Sequence, residues 1–213
     1  IFPPGSTFKL VVAAAALDAG LTPESTVDAP TSLRLPGSTS VLNNAGDCGG
    51  TTITLTQALA TSCNTAYANL GAQLGDGALR AQAEKFGFGT APLPELSGVA
   101  SKFPRQLDRA QLMMSSIGQF DVAATPLQMA MVAAGIANNG VVMEPHLVNR
   151  VRAADLTVVR TINPRPLSTA MTPANAIALQ NMMVNVVANG TGKRAAIDGV
   201  RVGGKTGTAL TDG

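Results

Sequence analysis

Tryptophan is absent, tyrosine occurs once, and aromatic residues make up only 3% of the 213 residues. Single-stranded nucleic acid is held by aromatic stacking inside a basic groove, and duplex binding leaves a basic stripe. Here 15 Lys and Arg face 13 Asp and Glu, the basic residues stand singly, and the formal net charge is +2. Nucleic acid is therefore excluded as a partner. Charged residues are also scarce, at 13% against a usual figure of about 25%. Disorder needs low hydrophobicity and high net charge, whereas 46% of this chain is apolar. The chain folds, and its length suits one domain. With one histidine and two cysteines, a zinc site would have to recruit carboxylates, so neither a metal nor a cofactor is expected. A Ser-His-Asp triad could be built only around His146, which follows Pro145 at a predicted strand start and reads as structural. No run reaches the ~20 apolar residues of a membrane span. The longest, 10–17 and 127–137, are of helix-core length and rich in alanine.

The pattern along the chain is helix-rich early and strand-rich late. Residues 6–19 form a periodic segment stopped by Gly20, apolar all round after Lys9, as a helix buried on every side reads. Residues 26–44 alternate weakly and carry Pro30, Pro36 and Gly37, which predicts short strands and turns. Helices are expected over 54–60, 65–74 and 76–86, the last capped by Asp76 and ended by Gly87. Residues 91–104 hold three prolines and read as loop. Two longer helices open on Thr125-Pro126 and Thr172-Pro173, an N-cap followed by proline at the first helical position. Leu179, Met182, Met183, Val186 and Val187 make a core-facing stripe on the second; the pairs Met113-Met114 and Met182-Met183 are core fillers. Residues 141–152, 156–162 and 200–210 read as strands. The order predicts an α+β fold, an antiparallel sheet flanked by helices beside a helical subdomain.

Three short motifs carry chemistry when taken together. Ser6-Thr7-Phe8-Lys9 is S-x-x-K, Ser62-Cys63-Asn64 is S-x-N, and Lys205-Thr206-Gly207 is K-T-G. Residues i and i+3 on a helix stand about 5–6 Å apart on one face, which brings the Lys9 amine within reach of the Ser6 hydroxyl. A lysine acts as a base near neutral pH only if burial or a nearby cation lowers its pKa from ~10.4. The apolar helix after Lys9 and a second lysine such as Lys205 would supply both. Lys205 and Thr206 offer a cation and a hydroxyl to a substrate carboxylate. Gly203, Gly204 and Gly207 are expected to leave room for an extended peptide against their strand. Each motif alone is common by chance, but their order and their placement at a helix start, an interhelical link and a strand are those of serine acyl-enzymes.

Longer strings make the resemblance specific. Pro3-Pro4-Gly5-Ser6-Thr7-Phe8-Lys9, Gly118-Gln119, Ala124-Thr125-Pro126-Leu127-Gln128-Met129-Ala130, Glu144-Pro145-His146-Leu147-Val148, Gly190-Thr191-Gly192 and Gly204-Lys205-Thr206-Gly207-Thr208-Ala209 occur in that order. The chain resembles the transpeptidase domain of class B penicillin-binding proteins, of the serine β-lactamase and transpeptidase fold. Residues 1–213 are read as part of one such domain, truncated at both ends, with an N-terminal module and a membrane anchor expected upstream. The resemblance implies Ser6 as the acylated nucleophile, Lys9 as its base and Ser62 as a proton relay. It implies Asn64 at the acyl-side amide, Lys205, Thr206 and Gly207 at the substrate carboxylate, and the N–H groups of Ser6 and Thr208 as the oxyanion hole. It also implies work on the outer face of the bacterial plasma membrane, where disulfides persist. Cys48 and Cys63 are then a candidate bridge that would add about 3 kcal/mol on the chain-entropy estimate; the alternative is two buried free thiols.

The activity implied is a peptidoglycan D,D-transpeptidase with stem peptides as substrates, β-lactams as inhibitors and a glycosyltransferase or other cell-wall assembly protein as partner. A D,D-carboxypeptidase would use water as the acceptor. A serine β-lactamase would need a positioned deacylation base, and no carboxylate in these motifs fills that role. A non-enzymatic β-lactam sensor would not need the full set of Ser6, Lys9, Ser62, Asn64 and Lys205.

Overall fold

The apolar stretch after Lys9 has no polar face, and the fold buries it on every side. In the computed structural model, which describes residues 1–93, 95–96 and 98–209, a 3-10 turn over Gly5–Phe8 runs directly into α1, Lys9–Asp18. Every residue from Lys9 to Leu17 is buried. The other helices are α2 (Leu55–Ala60), α3 (Asn64–Leu74), α4 (Asp76–Lys85), α5 (Arg109–Ser115), α6 (Pro126–Ala137) and α7 (Pro173–Ala188). Helices α3, α4 and α7 surround α1, and α7 also packs on α2 and α6. The α7 stripe predicted from the sequence is buried throughout.

Local chemistry fixes the helix starts. The Thr125 and Thr172 hydroxyls accept from Gln128 N and Asn175 N, each with proline in the first turn, satisfying donors that have no intrahelical partner. Helix α5 was not expected. Its Asp108 and Gln111 form a reciprocal capping box, a signature present in the sequence as D-x-x-Q. Helix α4 differs from expectation in its cap: Gly75 holds that position, and Asp76 lies inside the first turn, paired with Arg80 at 2.6 Å.

The strands are short and antiparallel, and among the described residues they pair in twos. β1 (Thr26–Asp28) pairs with β4 (Thr52–Thr54), and β2 (Ser32–Arg34) with β3 (Val41–Asn43). β5 (Val141–Met143) pairs with β8 (Pro166–Thr169), and β6 (Arg150–Arg152) with β7 (Val158–Thr161). The single strand expected over 141–152 divides into β5 and β6 around Pro145, which lacks an N–H for a ladder. The strand expected over 200–210 makes no ladder among the described residues, and Leu210 lies outside them. Its Gly204 N–H donates instead to Met183 O on α7 at 3.1 Å, so the segment is an extended strip held on a helix. The whole is α+β.

Candidate active site

Ser6 lies in the 3-10 turn, half-buried, with the turn gripped on two sides. Gly5 N–H donates to Gly118 O at 3.0 Å. Gly118 has φ +74, and a Cβ there would fall 2.0 Å from Gly5 O, so only glycine permits the approach. On the other side a Cβ on Gly207 would come within 2.8 Å of Thr7 Cγ2. The extended strip therefore lies directly against the turn that carries Ser6. A Cβ on Gly203 would likewise meet Met183 at 3.3 Å. Gly203 and Gly207 thus make room for the protein's own packing.

Ser62 sits between α2 and α3 with φ +57, a left-handed conformation uncommon for a residue with a side chain and one that persists only where the surroundings hold it. Cys63 and Cys48 are bridged, with Cα atoms 5.5 Å apart, so the link is stapled to the loop that follows β3. Asn64 opens α3. Its Nδ2 donates to Asn43 O at 3.0 Å, and its Oδ1 accepts from Lys9 Nζ at 2.8 Å. Asn44, which the sequence did not single out, holds the same link: its side chain accepts from Thr65 N at 3.0 Å and donates to Thr65 Oγ1 at 3.1 Å.

The lysines meet at Ser62. Lys9 is 0% exposed and its Nζ also lies 2.7 Å from Ser62 O and 3.3 Å from Ser62 Oγ. Lys205 Nζ donates to Ser62 Oγ at 2.7 Å and to Thr206 O at 2.9 Å. No hydrogen bond joins Lys9 to Ser6 among the described residues, in contrast to the contact expected one helical turn apart, because acceptors on the 62–64 link surround the amine. Burial, and then the neighbouring Lys205, bring the Lys9 pKa down to about 6. Burial brings Lys205 to about 8. Near pH 7 Lys9 is thus largely neutral and Lys205 largely charged. A neutral amine has two N–H groups, which Ser62 O and Asn64 Oδ1 take, and its lone pair is left free to accept a proton. Beneath it the buried Tyr67 ring lies 5.6 Å from Lys9 Nζ.

Ser6, Ser62, Asn64, Thr206 and Thr208 line one open cleft of about 880 Å³. Thr191, whose string the resemblance included without a role, also lines it and shares a 2.7 Å hydrogen bond with the Thr206 hydroxyl. His146 does not line the cleft.

A serine in a strapped turn, two lysines converging on a second serine and an extended strip beside them form one constellation. The profile of the penicillin binding protein transpeptidase domain matches residues 1–213, and the chain belongs to that family, in its class B branch. Among its relatives is the peptidoglycan D,D-transpeptidase PbpA of Mycolicibacterium smegmatis, 44% identical over 98% of this chain and 43% of the relative. PbpA of Mycobacterium tuberculosis is 42% identical over the same shares. The solved imipenem acyl-enzyme complex of penicillin-binding protein A from M. tuberculosis superposes with a TM-score of 0.93 at 42% identity, covering 98% of this chain and 48% of that one. This chain thus spans less than half the length of each of these three relatives.

Proposed function

We propose that the chain is part of the catalytic domain of a peptidoglycan D,D-transpeptidase. The observation that carries the reading is the Ser62 hydroxyl set between Lys205 at 2.7 Å and a buried Lys9 at 3.3 Å, in the cleft that Ser6 lines. Ser6 Oγ attacks the carbonyl between two terminal D-alanines of a stem peptide while its proton passes to Lys9 Nζ. The N–H groups of Ser6 and Thr208 stabilise the tetrahedral oxyanion. The leaving D-alanine takes its proton from Lys9 through Ser62, which Lys205 orients, and the acyl group remains as an ester on Ser6. An amine of a neighbouring stem then attacks that ester, releasing the cross-linked peptide and returning the proton. Asn64 holds the acyl-side amide, and Lys205, Thr206 and Gly207 receive the terminal carboxylate.

β-Lactams enter the same path and stop at the ester. The relatives' printed activity and the acyl-enzyme complexes support this. The reading places the enzyme on the outer face of the plasma membrane, anchored upstream, among cell-wall assembly proteins such as a glycosyltransferase. Mass spectrometry of the full-length protein after benzylpenicillin, followed over time, tests it. A persistent adduct on Ser6 is expected. An adduct on another residue would overturn the site, and rapid release of hydrolysed drug would move the protein to the β-lactamases.

A further inference from the structure

The ammonium that Lys9 becomes on taking a proton meets no carboxylate among the described residues. Of the elements packed on α1, the turn Gly5–Phe8 and helices α3 and α7 carry no charged side chain. On α4, Asp76 pairs with Arg80, Lys85 pairs with Asp18 at the far end of α1, and Glu84 is exposed. The charged neighbour whose field reaches Lys9 is a second cation, Lys205. What faces the amine from beneath is the fully buried ring of Tyr67, with its centroid 5.6 Å from Nζ. Asn64 and Tyr67 stand three positions apart on α3, so one helix face brings both the amide oxygen, at 2.8 Å, and the ring to Lys9. The tyrosine hydroxyl does not explain the residue. It is buried with no hydrogen-bond partner among the described residues, which costs stability. Burial also pushes its pKa up, so the phenol stays neutral and offers Lys9 only its ring.

We propose that Tyr67 is a positioning residue for acylation, whose ring face stabilises the Lys9 ammonium that forms as Ser6 gives up its proton. This rests on the transpeptidase reading, in which Lys9 is the base. No bond forms or breaks at Tyr67. The proton moves from Ser6 Oγ to Lys9 Nζ, and the positive charge that appears there lies over the negative face of the ring. Burial keeps the resting amine neutral, but burial alone also makes it a weak proton acceptor. A carboxylate in place of the ring would hold Lys9 charged at neutral pH and leave it unable to take the proton. An aromatic face is weaker: it offsets part of the cost of burying the ammonium and still leaves the resting amine neutral.

The test follows benzylpenicillin adduct formation on Ser6 of the full-length protein across pH. Without the ring the ammonium loses support, so in Tyr67→Leu the acid limb should move to lower pH by about 0.4 to 1.5 units. A weaker acceptor should also slow the plateau about two- to five-fold. Tyr67→Phe keeps the ring and should keep the limb at its wild-type pH. Where Tyr67→Leu does not fold, progressively fluorinated phenylalanines at position 67 take its place. Fluorine draws charge off the ring face at nearly constant size, so the limb should step down as fluorines are added. A limb that stays or rises with the ring removed or fluorinated, or that moves equally in Tyr67→Phe and Tyr67→Leu, overturns the role of the ring while leaving the transpeptidase reading intact. Failure of benzylpenicillin to acylate Ser6 in the wild type overturns that reading, and the role of the ring with it.

Discussion

Lys9 is buried without a carboxylate partner among the described residues, and burial beside a second lysine is what fits it for the proposed role of base. Burial first and Lys205 second place its pKa near 6, while Lys205 stays near 8. A base must be neutral and an orienting cation charged, so acylation should rise with pH through about 6 and fall through about 8. Rates of penicillin adduct formation across pH check this, and a profile without an acid limb would contradict the role of Lys9. The two limbs belong to the coupled pair of lysines. Removing a positioned proton acceptor costs about 10²- to 10⁴-fold, which is the loss expected in Lys9→Ala. His146→Ala should acylate near the wild-type rate, because His146 lies outside the cleft. Equal losses in two folded variants would point to a histidine mechanism. The burial of Lys9 and its lowered pKa were legible because the helix that follows it is apolar all round. That its amine turns to Ser62 and Asn64 was not, since those residues arrive from a distant link.

At the scale of elements, the 62–64 link depends on its staple. Cys63 separates Ser62 from Asn64, and the bridge to Cys48 ties both to the β3–β4 loop. Reduction should therefore lower the melting temperature and slow acylation together, read by thermal unfolding and adduct formation with and without reductant. Unchanged acylation in fully reduced, folded protein would mean that Asn43, Asn44 and Lys9 hold the link alone. The helices at Thr125 and Thr172 were legible because a capping hydroxyl and a proline act within one turn. Helix α5 carried an equally local signal in Asp108 and Gln111, but its short length weakens the periodic pattern around it. The strip through Lys205 read as a strand because its glycines and alternation suit one. Strandhood needs a partner's ladder, however, and this strip's backbone bond goes to Met183 on α7.

Over the whole molecule, the lowered lysines link stability to pH. Both bind their protons less tightly in the native state than at their ordinary value of 10.5. Above about pH 6 the unfolded chain therefore holds more protons, and stability rises with pH by up to about 1.4 kcal/mol per unit for Lys9. Buried Tyr67 works in the opposite sense above its ordinary value of 10.0, because burial raises its pKa and only the unfolded chain ionises there. Denaturant midpoints measured across pH should show this rise, and Lys9→Met should flatten it; an undiminished rise in that variant would assign it to other groups. The meeting of Lys205 with Ser62, 143 positions apart, and of Gly207 with Thr7, has a further consequence. On the proposed function, a chain exported N-terminus first would present Ser6, Lys9 and the middle motif long before the last strip arrives. Until then the proposed site would be incomplete, neither taking up antibiotic nor cross-linking. Drug labelling in a growing cell would then count finished molecules and pass over those still being made.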